Sequence, residues 1–164
     1  MLTYMATIAE VIRRQTLREY VLPDWETRLP LRRLLYAPAL LHWADATPAL
    51  VDEHCAVGGR LLIEHLEILL CDFRCAERPP AGDVRRMIPT ARGVLSIHAP
   101  GLRVYGWSSE PGELVTITAA LERDTKADGS LNDTKRNEVL DFIRIHDLEQ
   151  TIRRGQIYEL FPAT

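Results

Sequence analysis

Two proline–glycine pairs, Pro100-Gly101 and Pro111-Gly112, separate three segments in which apolar and polar residues alternate. Alternation with a period of two is typical of β-strands that bury one face. Proline fixes φ at the first central position of a turn and glycine accepts the positive φ of the second, so each pair suits a type II turn. The pattern predicts a three-stranded antiparallel meander. Residues 156–161 are predicted to be a final strand or a docked extended end.

Two-residue turns set the register of this meander. We expect His98 opposite Arg103 and Trp107 opposite Thr116, because side chains alternate between the two faces of a strand. One face of the predicted sheet is apolar and forms the core. The opposite face carries polar and aromatic side chains together, with Tyr105 and Trp107 among them. Such a face is either covered by the N-terminal helices or binds a partner. Eight apolar side chains form the predicted core face: Leu95, Ile97, Leu102, Val104, Val115, Ile117, Ala119 and Leu121.

The N-terminal half of the chain is predicted to be helical. Apolar residues recur at three- and four-residue steps over residues 3–21, 30–36 and 47–75, which is the spacing of amphipathic helices. We expect Gly58-Gly59 to kink or split the last of these. Ser130-Leu131-Asn132-Asp133 resembles a capping box and precedes a helix that runs to about His146.

These patterns together predict an α+β fold. A helical N-terminal half would pack on a three- to four-stranded antiparallel sheet, the β-meander, and C-terminal helices would follow it. We divide the chain into a helical region, residues 1–80, and an α+β region, residues 81–164, and expect the two to form one compact unit.

Composition excludes several classes of protein. The chain has 46% hydrophobic and 26% charged residues, within the ordinary range for a globular protein. Its three cysteines are too few and wrongly grouped for a disulfide framework, so we expect reduced thiols in the cytoplasm. No apolar run approaches the roughly 20 residues of a membrane span, so we predict no membrane partner. Three arginine pairs are expected on solvated faces: Arg13-Arg14, Arg32-Arg33 and Arg85-Arg86.

Metal ligands are present only in weak patterns. Cys71 and Cys75 share one helical face, but two thiols without a second pair make a poor zinc site, and core thiols are the favoured interpretation. His42, His54 and His65 recur at steps of 12 and 11 residues, although Pro48 and the two glycines interrupt that face. We therefore predict neither a metal site nor a cofactor.

Residues 93–98, 101–105 and 114–121 resemble the central hairpins of the RelE/ParE/HigB-type toxins of bacterial toxin–antitoxin systems. The resemblance covers about residues 83–147. In that family the third strand ends in a basic run ahead of a helix. Here Arg123 and Lys126 match that run in charge, whereas Glu122 and Asp124 depart from it.

The resemblance implies a small fold whose members often cut mRNA on the ribosome, as metal-independent endoribonucleases. That chemistry needs an activated 2′-hydroxyl, stabilisation of charge on the phosphate and a proton for the leaving oxygen. On this sequence His98 would be the general base or acid. Arg103 and Arg123 would clamp the phosphate, and Lys126 would add positive field.

The same resemblance suggests partners. Tyr105 or Trp107 would stack on a base, and the implied partners are an antitoxin protein and RNA or the ribosome. However, residues 83–164 hold 11 basic and 12 acidic residues, which gives no basic excess for capturing RNA. An inactive relative stays open, since members of the ParE branch act on a topoisomerase without ribonuclease activity.

A non-enzymatic interaction protein is the alternative function. In it the helical half and the face with Tyr105 and Trp107 would form a homo-oligomer or bind a protein partner. Each candidate also has a structural interpretation: His98 and Arg103 would be a half-exposed cross-strand pair, and Arg103 would cover a neighbouring aromatic ring.

Overall fold

The computed structural model describes residues 6–75 and 84–162. Its centre is a six-stranded mixed sheet with the strand order β1-β2-β6-β5-β4-β3. Every neighbouring pair is antiparallel except β2 and β6, which are parallel. The strands are β1 (Arg18–Glu19), β2 (Arg33–Tyr36), β3 (Val84–Arg86), β4 (Val94–Ala99), β5 (Leu102–Glu110) and β6 (Glu113–Leu121).

Six α-helices occur in the described part of the chain. They are α1 (Ile8–Arg13), α2 (Pro38–Asp45), α3 (Leu62–Cys75), α4 (Glu122–Ala127), α5 (Leu131–Ile145) and α6 (Ile157–Leu160). Short 3-10 turns lie at Pro48–Val51, Glu53–Cys55, Thr90–Arg92 and Glu149–Thr151. None of the helices in the ranges 6–75 and 84–162 has both the length and the apolar character needed to cross a membrane.

The α+β class is confirmed, but the sheet is larger than predicted and mixed. Residues 30–36 were expected to be a short helix, and most of them form β2 instead. Leu34 and Leu35 are both buried, one in each of the two core clusters. A strand covered on both faces is a continuous apolar run, which periodicity does not separate from a buried helix.

The N-terminal helix is shorter than predicted. A capping box starts α1, in which Thr7 Oγ1 accepts from the Glu10 amide and Glu10 Oε2 accepts from the Thr7 amide. The helix ends at Arg13, and Gln15 then takes a positive φ of 62°. The chain can therefore turn into β1, which pairs with β2. The long helix predicted over residues 47–75 is only partly correct: the segment before the glycines forms two 3-10 turns, Gly58 and Gly59 both take positive φ, and α3 begins only at Leu62. Residues 157–160, expected in an extended tail, are helical.

The meander of β4, β5 and β6 is present, and its turn glycines take the predicted positive φ. His98 pairs with Arg103 as predicted, but Trp107 pairs with Val115 rather than Thr116. A β-bulge lies between Tyr105 and Gly106. A Cβ on Gly106 would lie 1.7 Å from the Val115 carbonyl oxygen, so the bulge requires glycine.

This bulge divides the predicted core face. Val115 and Ile117 pack in one cluster, whereas Leu102 and Ala119 pack in the other. The cluster that contains residues of α2 and α3 lies on what we call the α3 face of the sheet. The cluster that contains residues of α1 and α5 lies on the α5 face. Both faces are covered, so chemistry that needs solvent is confined to the ends of the strands and to pockets between elements.

Candidate functional site

The fold brings four of the predicted site residues to one end of the sheet, which we call the hairpin end: His98, Arg103, Arg123 and Lys126. The Pro100-Gly101 turn joins β4 to β5 there, and α4 begins where β6 ends. The Glu122 amide donates to the Gly101 carbonyl at 2.9 Å, which ties α4 to the turn. Three segments that are separate in sequence thereby meet at one point.

His98 lies near the end of β4 and is half-buried. It faces Arg103 across the strand pair. Its Nε2 lies 2.9 Å from Ser96 Oγ, two residues back along the strand. Ser96 lies on the same face of β4 as His98, so a contact within this strand orients the imidazole.

Arg103 is held by a residue that sequence reasoning missed. Its Nη1 donates to Asn132 Oδ1 at 3.3 Å, and the Tyr105 hydroxyl donates to the same oxygen at 2.6 Å. Arg103 Nε is buried and no described residue accepts from it. Asn132 lies in the first turn of α5. The signal for it was the helical spacing of Asn132, Lys135 and Val139, which places all three on the side of α5 that meets the sheet.

Glu122 and Lys126 form an ion pair on α4. Lys126 Nζ lies 2.8 Å from Glu122 Oε1, at a spacing of i,i+4. The hydrogen bond from Lys126, aided by the charges of Lys126 and Arg103, holds the pKa of the Glu122 carboxyl below its usual range. The carboxylate that departs from the basic run of the family is thus partly offset by neighbouring cations.

Arg123 and Arg103 contact different parts of the structure. Its Nη1 lies 3.4 Å from Cys55 Sγ, and its Nε lies 3.7 Å from Asp124. Arg123 and Lys126 line a pocket of about 350 Å³ together with Cys55 and Leu121, and Leu121 belongs to the α3 face. Arg103, by contrast, contacts Asn132 of α5. The predicted phosphate clamp is therefore divided between the two sides of the sheet end.

Tyr105 and Trp107 are fully buried. The Trp107 indole packs 6.2 Å from the Phe142 ring, centroid to centroid, and its Nε1 donates to Thr151 Oγ1 at 3.2 Å. Burial raises the pKa of Tyr105. Their face is covered, as one of the two expectations had it, by the C-terminal helix α5 together with the N-terminal helix α1. Neither ring lies at the surface, where a base would stack.

No family model, curated protein or solved structure matches this chain. Function has to be argued from the residues themselves. Within the described residues no group of three or more His, Cys, Asp or Glu side chains is arranged to hold a metal ion.

Proposed function

We propose that the chain is a RelE-like protein that binds a phosphate group of RNA at the hairpin end and cleaves the adjoining bond. The observation that supports this proposal is the pairing of His98 with Arg103 at the end of the sheet where Arg123 and Lys126 add two further cations on the other side. An arginine beside a histidine suits phosphate chemistry, because the developing charge and the transferred proton are then handled by adjacent groups.

In this proposal His98 is the general base that takes the proton of the 2′-hydroxyl or the general acid that protonates the leaving 5′-oxygen. Arg103 stabilises the negative charge that develops on the phosphate. Asn132 holds the Arg103 side chain in one orientation, so the guanidinium needs little rearrangement when the phosphate arrives. Lys126 and Arg123, both exposed, attract the flanking phosphates. The proposed cleavage leaves a 2′,3′-cyclic phosphate and a 5′-hydroxyl, since the 2′-oxygen attacks and the 5′-oxygen leaves.

Inducible expression with an RNA readout tests the proposal. Expression is expected to arrest growth and to produce mRNA fragments with 5′-hydroxyl ends. Arg103→Ala and Arg123→Ala, each checked for folding by circular dichroism, are expected to relieve both effects. Arg144→Ala is the matched control, because Arg144 is an exposed arginine of α5 that pairs with Asp141. Growth arrest that survives both substitutions would contradict the site assignment.

A second candidate function, a non-enzymatic interaction protein, has a specific observation in its favour. Val21, Trp25 and Leu29 are 78%, 58% and 77% exposed within nine residues. Grouped apolar side chains of this kind are typical of interaction surfaces. The partner would be a second copy or another protein, such as the antitoxin that the resemblance implies. Because α5 already covers Tyr105 and Trp107, this segment replaces their face as the candidate surface.

Sedimentation and mutagenesis separate the two candidates. If the apolar segment joins two copies, the chain sediments as a dimer and Trp25→Asp converts it to a monomer without changing any RNA cleavage. A monomer that cleaves RNA would leave the interaction function without a basis in this segment. A dimer that leaves RNA intact would favour it.

A further inference from the structure

Arg32 is a buried cation without a counter-charge among the described residues. The residue is 5% exposed, and no described residue offers a hydrogen-bond partner to its Nε, Nη1 or Nη2. The guanidinium lies over the Phe73 ring, whose centroid is 5.4 Å from the guanidinium carbon. This burial corrects the expectation that Arg32-Arg33 lies on a solvated face, which holds for Arg33 alone. A guanidinium keeps its charge in proteins, so burying one without a partner is costly.

The backbone fixes Arg32 at the end of the sheet opposite the hairpin end. The Leu31 and Arg32 amides both donate to the Arg74 carbonyl in the last turn of α3, at 2.8 Å and 2.9 Å. Arg32 lies beside the β5–β6 turn, since a Cβ on Gly112 would be 3.8 Å from Arg32 Cγ. The nine residues of β5 separate this turn from the hairpin end.

A pocket of about 380 Å³ lies here, which we call the Arg32 pocket. It is lined by three arginines, two glutamates and four other residues: Arg32, Arg33, Arg74, Glu110, Glu113, Pro30, Leu31, Pro111 and Gly112. The lining is mostly polar, and Pro30, Leu31 and Pro111 add apolar surface beside the unpartnered Arg32. That combination suits the charged head and the carbon body of an organic anion.

The other two arginines of the pocket have counter-charges. Arg33 Nη1 lies 3.1 Å from Glu113, and its Nε lies 3.7 Å from Glu19. Arg74 Nη2 lies 3.2 Å from the same Glu19 carboxylate, and its Nη1 donates to a backbone carbonyl. Arg32 is the only one of the three without a hydrogen-bonded or ion-paired acceptor among the described residues.

We propose that Arg32 binds the carboxylate of an organic monoanion in this pocket. A carboxylate supplies one negative charge and accepts two parallel N–H bonds from the planar guanidinium fork. A phosphate dianion fits less well, because Glu110 and Glu113 lie in the same lining and would repel a second negative charge. This site is separate from the hairpin end and does not depend on the function proposed for it.

The missing counter-charge has a consequence for the free protein. Burial lowers the pKa of the Arg32 guanidinium from its ordinary value, because desolvation disfavours the charged form. Since the three nitrogens are buried, a neighbouring side chain has to move before a ligand reaches them. Replacing Arg32 with an apolar residue of similar length is therefore expected to stabilise the ligand-free chain.

Titration with benzoate and with benzamide, its neutral counterpart, tests the proposal. Benzoate is expected to raise the unfolding temperature of the wild-type chain and to shift backbone amide resonances of the β5–β6 turn, whereas benzamide does neither. In Arg32→Met the ligand-free chain unfolds at a higher temperature than wild type, and benzoate binds at least about tenfold more weakly. Arg32→Lys, which keeps the charge without the fork, loses affinity in the same direction and serves if Arg32→Met does not fold.

The matched control is Arg28→Met, an exposed arginine that pairs with Glu26 and Asp72, and it should bind benzoate like wild type. Equal benzoate binding by wild type and Arg32→Met overturns the proposal. Tighter binding of phosphate than of benzoate overturns the choice of a carboxylate. Binding that appears only in Glu77→Gln or Asp83→Asn, two acids outside the described residues, also overturns it, because the counter-charge would then come from the chain itself.

Discussion

Asn132 joins the sheet to α5 at the hairpin end, and its replacement tests how that end is held together. Its Oδ1 accepts from the Tyr105 hydroxyl at 2.6 Å and from Arg103 Nη1 at 3.3 Å. Asn132→Ala leaves the hydroxyl of a fully buried tyrosine without an acceptor, at a cost of about 1–3 kcal/mol. Alanine returns up to about 0.7 kcal/mol through its higher helix propensity. We expect a net loss of about 1–2 kcal/mol in the free energy of unfolding.

Urea denaturation followed by circular dichroism measures this loss. Asn137→Ala is the matched control, because Asn137 is an exposed residue of the same helix and its replacement reports helix propensity alone. A double-mutant cycle adds the specific test. Tyr105→Phe should cost about 1 kcal/mol in the wild-type chain but should stabilise Asn132→Ala by about 1 kcal/mol, because it removes the unsatisfied hydroxyl, which gives a coupling energy of about 2 kcal/mol.

Two results would refute this reasoning. If Asn132→Ala costs no more than Asn137→Ala, the shared acceptor does not contribute to stability. If the Tyr105 and Asn132 substitutions are additive, the two side chains do not interact. Either outcome would also leave Arg103 without the support on which its proposed catalytic orientation depends.

Three further outcomes follow from the packing and charges. Gly106→Ala should lower the free energy of unfolding by more than about 3 kcal/mol in urea denaturation, because its Cβ would overlap the backbone of β6; Gly129→Ala, where nothing lies within 4 Å, should be neutral or stabilising by up to about 1 kcal/mol. The low pKa of Glu122 stabilises the folded chain above the unfolded pKa of about 4.3, and this stabilisation is lost as the pH falls through the folded pKa. In urea denaturation from pH 7 to 3, the wild-type chain should therefore lose more stability than Lys126→Met. If the free energy of unfolding falls equally with pH in both chains, the low pKa is not caused by Lys126. With a thiol reagent, Cys55 should react first in the native chain, because burial raises the pKa of the other two thiols; uniform labelling would show that all three are accessible.

Local turn chemistry made the meander predictable. Proline and glycine set φ at the two turns, and the strands then have only one register, so the pairing of His98 with Arg103 followed directly. The bulge was not recognised, although Gly106 inside an apolar strand was its signal. One extra residue in β6 moved Val115 and Ile117 to the other face, since side chains alternate along a strand.

Contacts between distant parts of the chain could not be predicted in the same way. β2 pairs with β6, so that Leu34 lies beside Leu114. No local pattern encodes a pairing over eighty residues, and an apolar pair buried on both faces has no period of its own. Likewise the segment Ser130–Asp133 was predicted to cap a helix; α5 does begin there, without a side-chain capping hydrogen bond from Ser130, but the role of Asn132 depends on how α5 lies across the sheet. In the sequence Arg32 cannot be told from a solvated arginine, because its burial depends on the turn after β5 that lies beside it in the fold.

Arg103 and Arg32 lie at opposite ends of the sheet. They differ chiefly in whether a hydrogen-bond acceptor contacts the guanidinium, and this difference suits the two ends to different functions. Arg103 is half-buried, but Asn132 accepts one of its donors, so part of its desolvation cost is offset in the free chain. Arg32 is buried more deeply and has no acceptor among the described residues. A cation that is already held keeps its geometry when a phosphate arrives, which suits catalysis. A cation without a partner gains most of its stabilisation when an anion arrives, which suits binding and stabilisation by ligand. Because β5 spans roughly 30 Å at about 3.3 Å per residue, the two ends are far enough apart to act independently.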